Sequence, residues 1–271
     1  MAVLAVRVCY GGLNANNLTF LFLISNLQIA KQRRLNLPSN AFTEHDAKVV
    51  IVDLQEELGQ SVAVSIGPDK ACFYRCDITD ETQVENAVKF TVKKHGKLDV
   101  LFSNAGVLEQ AGSILDLDLK HFDRTMAVNV RGGAAFIKHE ARAMVEKGTR
   151  GSIVCTTSIA AEIGGTGPHA YTASKHALLG LIKTACGSLG KYGIRVNGVA
   201  PYGVATGMNS YDDETVRMVE DYIAATGILK GVVLNASHVA QAALFLASDD
   251  SAYVSGQNLA IDGGCSVVKS A

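Results

Sequence analysis

The stretch Lys48–Asp53, KVVIVD, is an unbroken run of β-branched residues that ends in an acid. Such a run is typical of a strand that is covered on both faces, as in a parallel sheet. Outward from it, similar short runs alternate with amphipathic stretches of helical period. The other strands that we predict are Ala71–Cys76, Leu98–Phe102, Ser152–Thr156, Arg195–Val199 and Asn258–Ile261. This order predicts an α/β protein with a doubly wound parallel sheet, in which ligands bind where the strands end.

The composition excludes several classes of protein. The 271 residues carry a net charge of −1 without a block of like charge, so we expect no nucleic-acid partner. With 48% hydrophobic and 19% charged residues, the chain is globular rather than disordered. The six cysteines form no CxxC pair, which predicts no metal site and indicates a reducing, cytoplasmic location.

The first 40 residues fit the alternating pattern poorly. Two apolar segments, Val3–Val8 and Leu18–Ile24, could each form a strand, and Pro38–Asn40 is typical of a helix start. The second segment is too short for a membrane span, which takes about 20 apolar residues, and no small-residue cleavage site follows it. We therefore divide the chain into an atypical segment, 1–40, and a single domain, 41–271.

Tyr171 and Lys175 stand four residues apart in the sequence YTASK, on a predicted helix, so they share one face. An ammonium group there would favour the phenolate and lower the pKa of Tyr171, which could then act as a general acid or base. An ordinary surface pair is the alternative.

Ser158 follows a predicted strand and could hold a substrate oxygen, or it could simply cap a turn. Asn104-Ala105-Gly106 ends another strand, where a small turn permits close approach of a flat ligand, unless it is an ordinary turn.

Together these motifs resemble those of the short-chain dehydrogenase/reductase family over residues 41–271. The resemblance rests on Asp77-Ile78-Thr79, Asn104-Ala105-Gly106, Asn129-Val130, Ser158, Tyr171 with Lys175, Arg195-Val196-Asn197 with Pro201-Tyr202-Gly203, and Ser255-Gly256-Gln257 with Asp262-Gly263-Gly264. The stretches DVLFSNAGV and GIRVNGVAPYGVAT are similar to the plant subgroup that includes secoisolariciresinol, xanthoxin and borneol dehydrogenases. The resemblance implies a Rossmann-type fold and a homotetramer.

The resemblance also implies a role for each matched residue. Tyr171 would exchange a proton with the substrate, and Ser158 would hold the substrate oxygen. Lys175 would lower the pKa of Tyr171 and bind the nicotinamide ribose. Asn129 would interrupt its helix and keep a water that links Lys175 to solvent. The other cofactor-binding residues implied are Asp77 and Ile78 beside the adenine, Asn104, Ala105 and Gly106 along the adenosine ribose and phosphates, and Val204 and Thr206 at the carboxamide.

Asp53 bears on which nicotinamide cofactor is used. A carboxylate at the end of the second strand can accept both ribose hydroxyls and would repel a 2′-phosphate. Residue 54 is leucine, so no arginine stands ready for such a phosphate. We therefore predict NAD rather than NADP. An acid that merely faces water is the alternative.

The chain departs from the family pattern after the first strand. The family carries a TGxxxGxG loop there, whereas residues 26–34 read NLQIAKQRR. Glycines let backbone N–H groups approach the pyrophosphate, and bulky residues do not. Leu18–Ser25 could still fill the first-strand position, which would restore the sheet and not the phosphate site. Residues before 41 are then either foreign to the domain, through a translated intron or an alternative first exon, or part of a divergent isoform.

We therefore expect an NAD-dependent oxidoreductase that interconverts a lipophilic secondary alcohol and a ketone. The alternative is a catalytically impaired isoform that acts as a binding or scaffold protein. The stretch 202–232 contains Met208, Tyr211, Met218 and Tyr222. It is typical of a mobile lid over an apolar pocket, or of an amphipathic helix that packs on the core.

Overall fold

A parallel sheet of seven strands runs through the part of the chain that the structure, a computed structural model, describes: residues 19–23, 47–109, 111–204 and 213–268. The order of the strands is β3-β2-β1-β4-β5-β6-β7. The strands are β1 (Thr19–Leu23), β2 (Lys48–Asp53), β3 (Ala71–Arg75), β4 (Val100–Ser103), β5 (Ser152–Thr156), β6 (Arg195–Pro201) and β7 (Asn258–Ile261). The α-helices are α1 (Glu56–Ile66), α2 (Glu81–His95), α3 (Leu119–Met126), α4 (Gly133–Lys147), α5 (His169–Leu189), α6 (Asp213–Thr226) and α7 (Ala236–Ala247).

This order confirms the Rossmann-type, doubly wound sheet that the sequence predicts. Along β2, alternate side chains enter opposite cores, because successive residues of a strand point to opposite faces. Val49 and Ile51 pack in one core with residues of α1 and α7, and Val50 and Val52 pack in the other with residues of α2, α4 and α5. Both faces of β2 are therefore covered, which explains its unbroken apolar run.

Strand β1 lies at the centre of the sheet, although it comes from the atypical segment. It pairs with β2 from Thr19 opposite Lys48 to Leu23 opposite Val52, and on its other side with β4. The backbone N–H of Thr19 also donates to Oδ2 of Asp99 at 2.7 Å. Part of the apolar segment 18–25 thus fills the first-strand position. Val3–Val8, the predicted helix start at 38–40 and the residues that replace the glycine loop lie outside the described residues.

The long helix predicted over residues 119–147 is interrupted in its middle. Helix α3 passes at Ala127–Gly132 into a π-helical turn, which continues into α4. Asn129 lies in this turn and is buried. A π-turn inserted in an α-helix is often found at a functional site.

Helix α6 covers part of the predicted lid. Its buried residues include Val216 and Ile223, whereas Met218 and Tyr222 are each 67% exposed. This arrangement agrees with an amphipathic helix that packs on the core. Met208, Tyr211 and Thr206 lie outside the described residues. Within the described part of the chain, no helix is both long enough and apolar enough to cross a membrane.

Candidate active site

The carboxyl ends of β4, β5 and β6 face the first turns of helix α5, which carries Tyr171 and Lys175. Ser158 follows β5, and its hydroxyl lies near enough to the phenol of Tyr171 to lower the pKa of that phenol. Oγ of Ser158 also accepts the backbone N–H of Ala160 at 3.2 Å and so caps the short 3-10 helix Ile159–Ala161. Ser158 therefore caps a turn, which is one of the two roles that the sequence left open, and it also lies near Tyr171.

Lys175 is a buried residue and not part of an exposed helix pair, since only 3% of it is exposed. Its Nζ donates to the carbonyl oxygen of Thr156 at 2.8 Å and lies 5.4 Å from the centre of the Tyr171 ring. Burial disfavours the ammonium form and lowers the pKa of Lys175 to about 8. The amine can therefore change its protonation state near physiological pH.

The pKa of Tyr171 departs from the sequence expectation. Burial raises the pKa of this phenol, the nearby hydroxyl of Ser158 lowers it, and the charge of Glu109 raises it further. The prediction of a lowered Tyr171 pKa is therefore wrong for the protein without a bound cofactor. The loss of solvation of the phenolate outweighs the attraction of the Lys175 charge, which lies over the ring. Near neutral pH the phenol keeps its proton.

Asn129 ties the loop after β4 to the π-turn. Its Oδ1 accepts the backbone N–H of Val107 at 2.8 Å, and its Nδ2 donates to the carbonyl of Val107 and to Oγ of Ser174, each at 3.0 Å. A Cβ atom at Gly106 would lie 3.3 Å from Oδ1 of Asn129 and 3.6 Å from Nζ of Lys175. Gly106, which follows Ala105, therefore leaves room for both of these side chains beside the loop after β4.

The end of β5 connects Asn104 with Lys175. Oγ1 of Thr156 donates to Oδ1 of Asn104 at 2.8 Å, and the carbonyl of the same threonine accepts from Lys175. Asn104 is itself buried. The NAG motif, Asn104-Ala105-Gly106, is therefore connected through Thr156 to Lys175 in one hydrogen-bonded network and is not an isolated turn.

Asp53, at the end of β2, does not face water. It is 5% exposed, and burial raises the pKa of its carboxyl group. Its Oδ1 accepts the backbone N–H of Gln55 at 2.8 Å, whereas its buried Oδ2 has no hydrogen-bond partner among the described residues. Buried polar atoms are normally paired, so this oxygen is a fitting acceptor for a ribose hydroxyl.

Three further predicted residues lie after strands on opposite sides of β1, Asp77 and Ile78 after β3 and Val204 after β6. Oδ1 of Asp77 accepts the backbone N–H of Thr79 at 2.9 Å and its hydroxyl at 2.7 Å. Ile78 packs against the π-turn, where a Cβ atom at Gly132 would lie 2.8 Å from its side chain. Val204 is half-buried just after β6. All three follow the carboxyl ends of strands, which is the edge where ligands of such sheets bind.

The sequence reasoning missed Glu109, which belongs to the same site. Its Oε1 accepts the backbone N–H of Tyr171 at 2.9 Å, across 62 residues of sequence. It also lines a cleft of about 590 Å³ together with Val107, Leu108, Leu117, Arg124 and His169. Its place shortly after Asn104-Ala105-Gly106, with Val107 and Leu108 between, is the only signal that the sequence offered.

The comparisons with known proteins agree with this fold and site. The family model described as "Enoyl-(Acyl carrier protein) reductase" matches residues 39–266. "Short-chain dehydrogenase reductase 3a" from Arabidopsis thaliana is 83% identical over 228 residues, which are 84% of this chain and 89% of that protein. "(+)-borneol dehydrogenase 1" from Salvia officinalis is 46% identical over 84% of this chain and 87% of its own length.

Among solved structures, that of levodione reductase has a TM-score of 0.80 at 28% identity, covering 93% of this chain and 98% of the other. The chain therefore belongs to the short-chain dehydrogenase/reductase family and is by lineage an oxidoreductase. Proteins of this family and their Rossmann-fold neighbours generally bind a nicotinamide cofactor and act on small molecules.

Proposed function

We propose that this protein is an NAD-dependent oxidoreductase that interconverts a lipophilic secondary alcohol and the corresponding ketone. The observation that carries the proposal is the arrangement around Tyr171: the Ser158 hydroxyl lies near enough to its phenol to lower the pKa, and Nζ of Lys175 lies 5.4 Å from its ring centre. These groups can hold a substrate oxygen and move one proton to or from it.

In the direction of reduction, Ser158 would hold the ketone oxygen and Tyr171 would donate its phenolic proton to that oxygen. The raised pKa of Tyr171 keeps this proton available near neutral pH. The nicotinamide, when bound, supplies the hydride for the carbonyl carbon, or accepts it in the reverse direction. In oxidation Tyr171 accepts the proton of the alcohol, and the positive charge of Lys175 on the same face favours the phenolate.

The choice of NAD is supported by Asp53. A buried carboxylate, one of whose oxygens has no partner among the residues that the structure describes, matches a ribose hydroxyl and would repel a phosphate in its place. Leu54, the next residue, is 49% exposed and offers no positive charge. The residues that would hold the cofactor are Asp53, Asp77, Ile78, Asn104, Ala105, Gly106, Lys175, Val204 and Thr206.

The lipophilic substrate, the setting and the assembly are also part of the proposal. Two similar proteins are named for borneol and levodione, which favours an alcohol or ketone of this kind. The cysteines in the described part of the chain are free thiols, which is in keeping with the cytoplasm. We infer a homotetramer acting in plant secondary metabolism, and light scattering of the purified protein would measure the assembly.

The experiment that tests the function compares Tyr171→Phe with a matched control, Tyr192→Phe, in which the tyrosine removed is 45% exposed. Lipophilic secondary alcohols are oxidised with NAD, and the reduced cofactor is followed by its absorbance. Tyr171→Phe should lose about 10²–10⁴-fold in turnover and keep its NADH affinity within a few-fold, whereas the control keeps both. Normal turnover in Tyr171→Phe would contradict the proposal.

A binding or scaffold protein without activity is the second candidate, and one observation favours it. Residues 13–58 contain no glycine, so the connection between β1 and β2 lacks the residues that normally approach a pyrophosphate. A titration of the unaltered chain with NADH, followed by fluorescence, separates the two candidates. Tight binding supports the enzyme, and absence of binding supports the second candidate.

A further inference from the structure

The amino end of helix α5 lacks a cap of its own. The helix begins at His169, and the residue before it, Pro168, makes no side-chain cap hydrogen bond. Helices α2 and α3, in contrast, are capped by Asp80 and Asp118, each of which accepts two backbone N–H groups. The first N–H groups of a helix need partners, and the helix that carries the proposed proton carrier obtains one from elsewhere.

The partner is Glu109, in the loop after β4. Its Oε1 accepts the N–H of Tyr171, the third residue of the helix, at 2.9 Å. Its Oε2 lies 3.5 Å from Oγ1 of Thr125, a buried residue of α3. One carboxylate thus links the NAG loop, α3 and the first turn of α5, and its negative charge suits the positive end of the helix dipole.

The same carboxylate acts on the phenol by its charge. A negative charge nearby disfavours the phenolate, and Glu109 raises the pKa of Tyr171 in this way. On its own helix, Tyr171 faces Lys175, and the hydroxyl of Ser158, in the turn after β5, lowers the pKa of its phenol. Asp116, Asp118, His121, Arg124 and His169 line the same cleft as Glu109.

We propose that Glu109 is a positioning residue for Tyr171: from a different part of the chain, its carboxylate fixes the first turn of α5 and brings a negative charge to the residue that carries the phenol. This inference rests on the proposed function in one respect only, namely that Tyr171 carries the proton of the reaction. The contact and the charge can be tested without any substrate.

The test separates the hydrogen bond from the charge. Glu109→Gln keeps an oxygen that can accept the Tyr171 N–H and removes the charge, Glu109→Ala removes both, and Glu109→Asp keeps the charge. Asp116→Asn is the matched control, since Asp116 is exposed and lines the same cleft. The signal of Tyr171 is titrated by NMR of the tyrosine ring carbons and identified by its absence in Tyr171→Phe.

We expect the titration midpoint of Tyr171 to move to lower pH in Glu109→Gln and to stay in place in Glu109→Asp and in the control. The acid side of the pH profile for alcohol oxidation should move in the same direction in Glu109→Gln. Glu109→Ala should in addition lose about 10–10²-fold in kcat, because the first turn of the helix is no longer held in place. Rescue of the midpoint by Glu109→Asp would support the role of the charge.

An unchanged midpoint in Glu109→Gln, or an equal shift in Asp116→Asn, would overturn the inference. The proposed function fails on a different result, namely normal turnover in Tyr171→Phe. If that turnover is normal while Glu109→Gln still moves the Tyr171 midpoint, the electrostatic relationship stands and the assignment of the proton carrier falls.

Discussion

Nζ of Lys175 donates a hydrogen bond of 2.8 Å to the carbonyl oxygen of Thr156, at the last position of β5. The ammonium group is thereby held on the sheet side of α5 with only 3% of the residue exposed. One hydrogen bond to a neutral carbonyl does not replace full hydration, which is why the pKa of Lys175 falls to about 8. Burying the Lys175 ammonium group at the site therefore lowers the free energy of unfolding of the protein.

We predict that Lys175→Met stabilises the protein and abolishes turnover. A lysine whose pKa falls from 10.5 to about 8 on folding is destabilising below pH 8, by about 3 kcal/mol, and the loss is recovered as the pH rises toward 10.5. The gain in stability of Lys175→Met over the wild type should therefore shrink between pH 8 and 10.5. Chemical denaturation across this range measures it. Lys183→Met, at an exposed position of the same helix, should show no such gain.

Changing Asp53 and its neighbour should alter the choice of cofactor. Asp53→Ala combined with Leu54→Arg removes the repulsion of a 2′-phosphate and adds a charged partner for it. Because a charge-assisted hydrogen bond contributes about 1.5–3 kcal/mol, preference should move toward NADP by about 10–10²-fold. The ratio of kcat/KM for the two cofactors measures the shift, with Leu54→Arg alone as control. A preference of the unaltered protein for NADP would contradict the role given to Asp53.

Glu140 should destabilise the protein at neutral pH. Both of its carboxylate oxygens are buried without a hydrogen-bond partner among the described residues, and burial raises its pKa well above 4.5. Because the pKa is higher in the folded state, stability is full below about 4.5 and is lost as the pH rises through the folded value. Glu140→Met should gain about 1–3 kcal/mol at neutral pH and lack this pH dependence.

Unfolding in denaturant at several pH values tests the prediction for Glu140. The matched control is Glu146→Met, which removes an exposed carboxylate from the same helix, α4. A stability difference between wild type and Glu140→Met that does not depend on pH would show that the Glu140 carboxyl group does not titrate as we infer.

The connection between β1 and β2 should limit cofactor affinity. Replacing residues 24–46 with a TGGASGIG loop and a helix keeps β1 and restores glycines beside the pyrophosphate. Two recovered hydrogen bonds of about 1.5–3 kcal/mol each correspond to roughly 10²–10⁴-fold in NADH affinity, which fluorescence titration measures. The same replacement with alanines for its glycines is the control. Tight NADH binding before any replacement would refute this prediction.

Much of the fold could be predicted because buried strands leave a local signature. The run KVVIVD forms β2 over its whole length, Lys48–Asp53. The helical spacing left open whether Tyr171 and Lys175 form an ordinary surface pair, but that they share one face of their helix followed from it. The pKa of Tyr171 did not, because burial depends on elements that are distant in sequence. Glu109 was missed for the same reason, since its contact spans 62 residues and meets a helix whose own N-cap is a proline.

The central place of β1 has a consequence for aggregation. Its five residues pair with β2 on one side and with β4 on the other. If this short strand came away, β2 and β4 would each expose a row of unpaired N–H and C=O groups along a run of apolar side chains. Between Lys48 and Asp53 at the two ends of β2, and along β4, these inner edges carry no charge or proline of the kind that protects natural edge strands, and they are templates for pairing with a second chain. Variants that weaken β1 should therefore precipitate before they lose their helices.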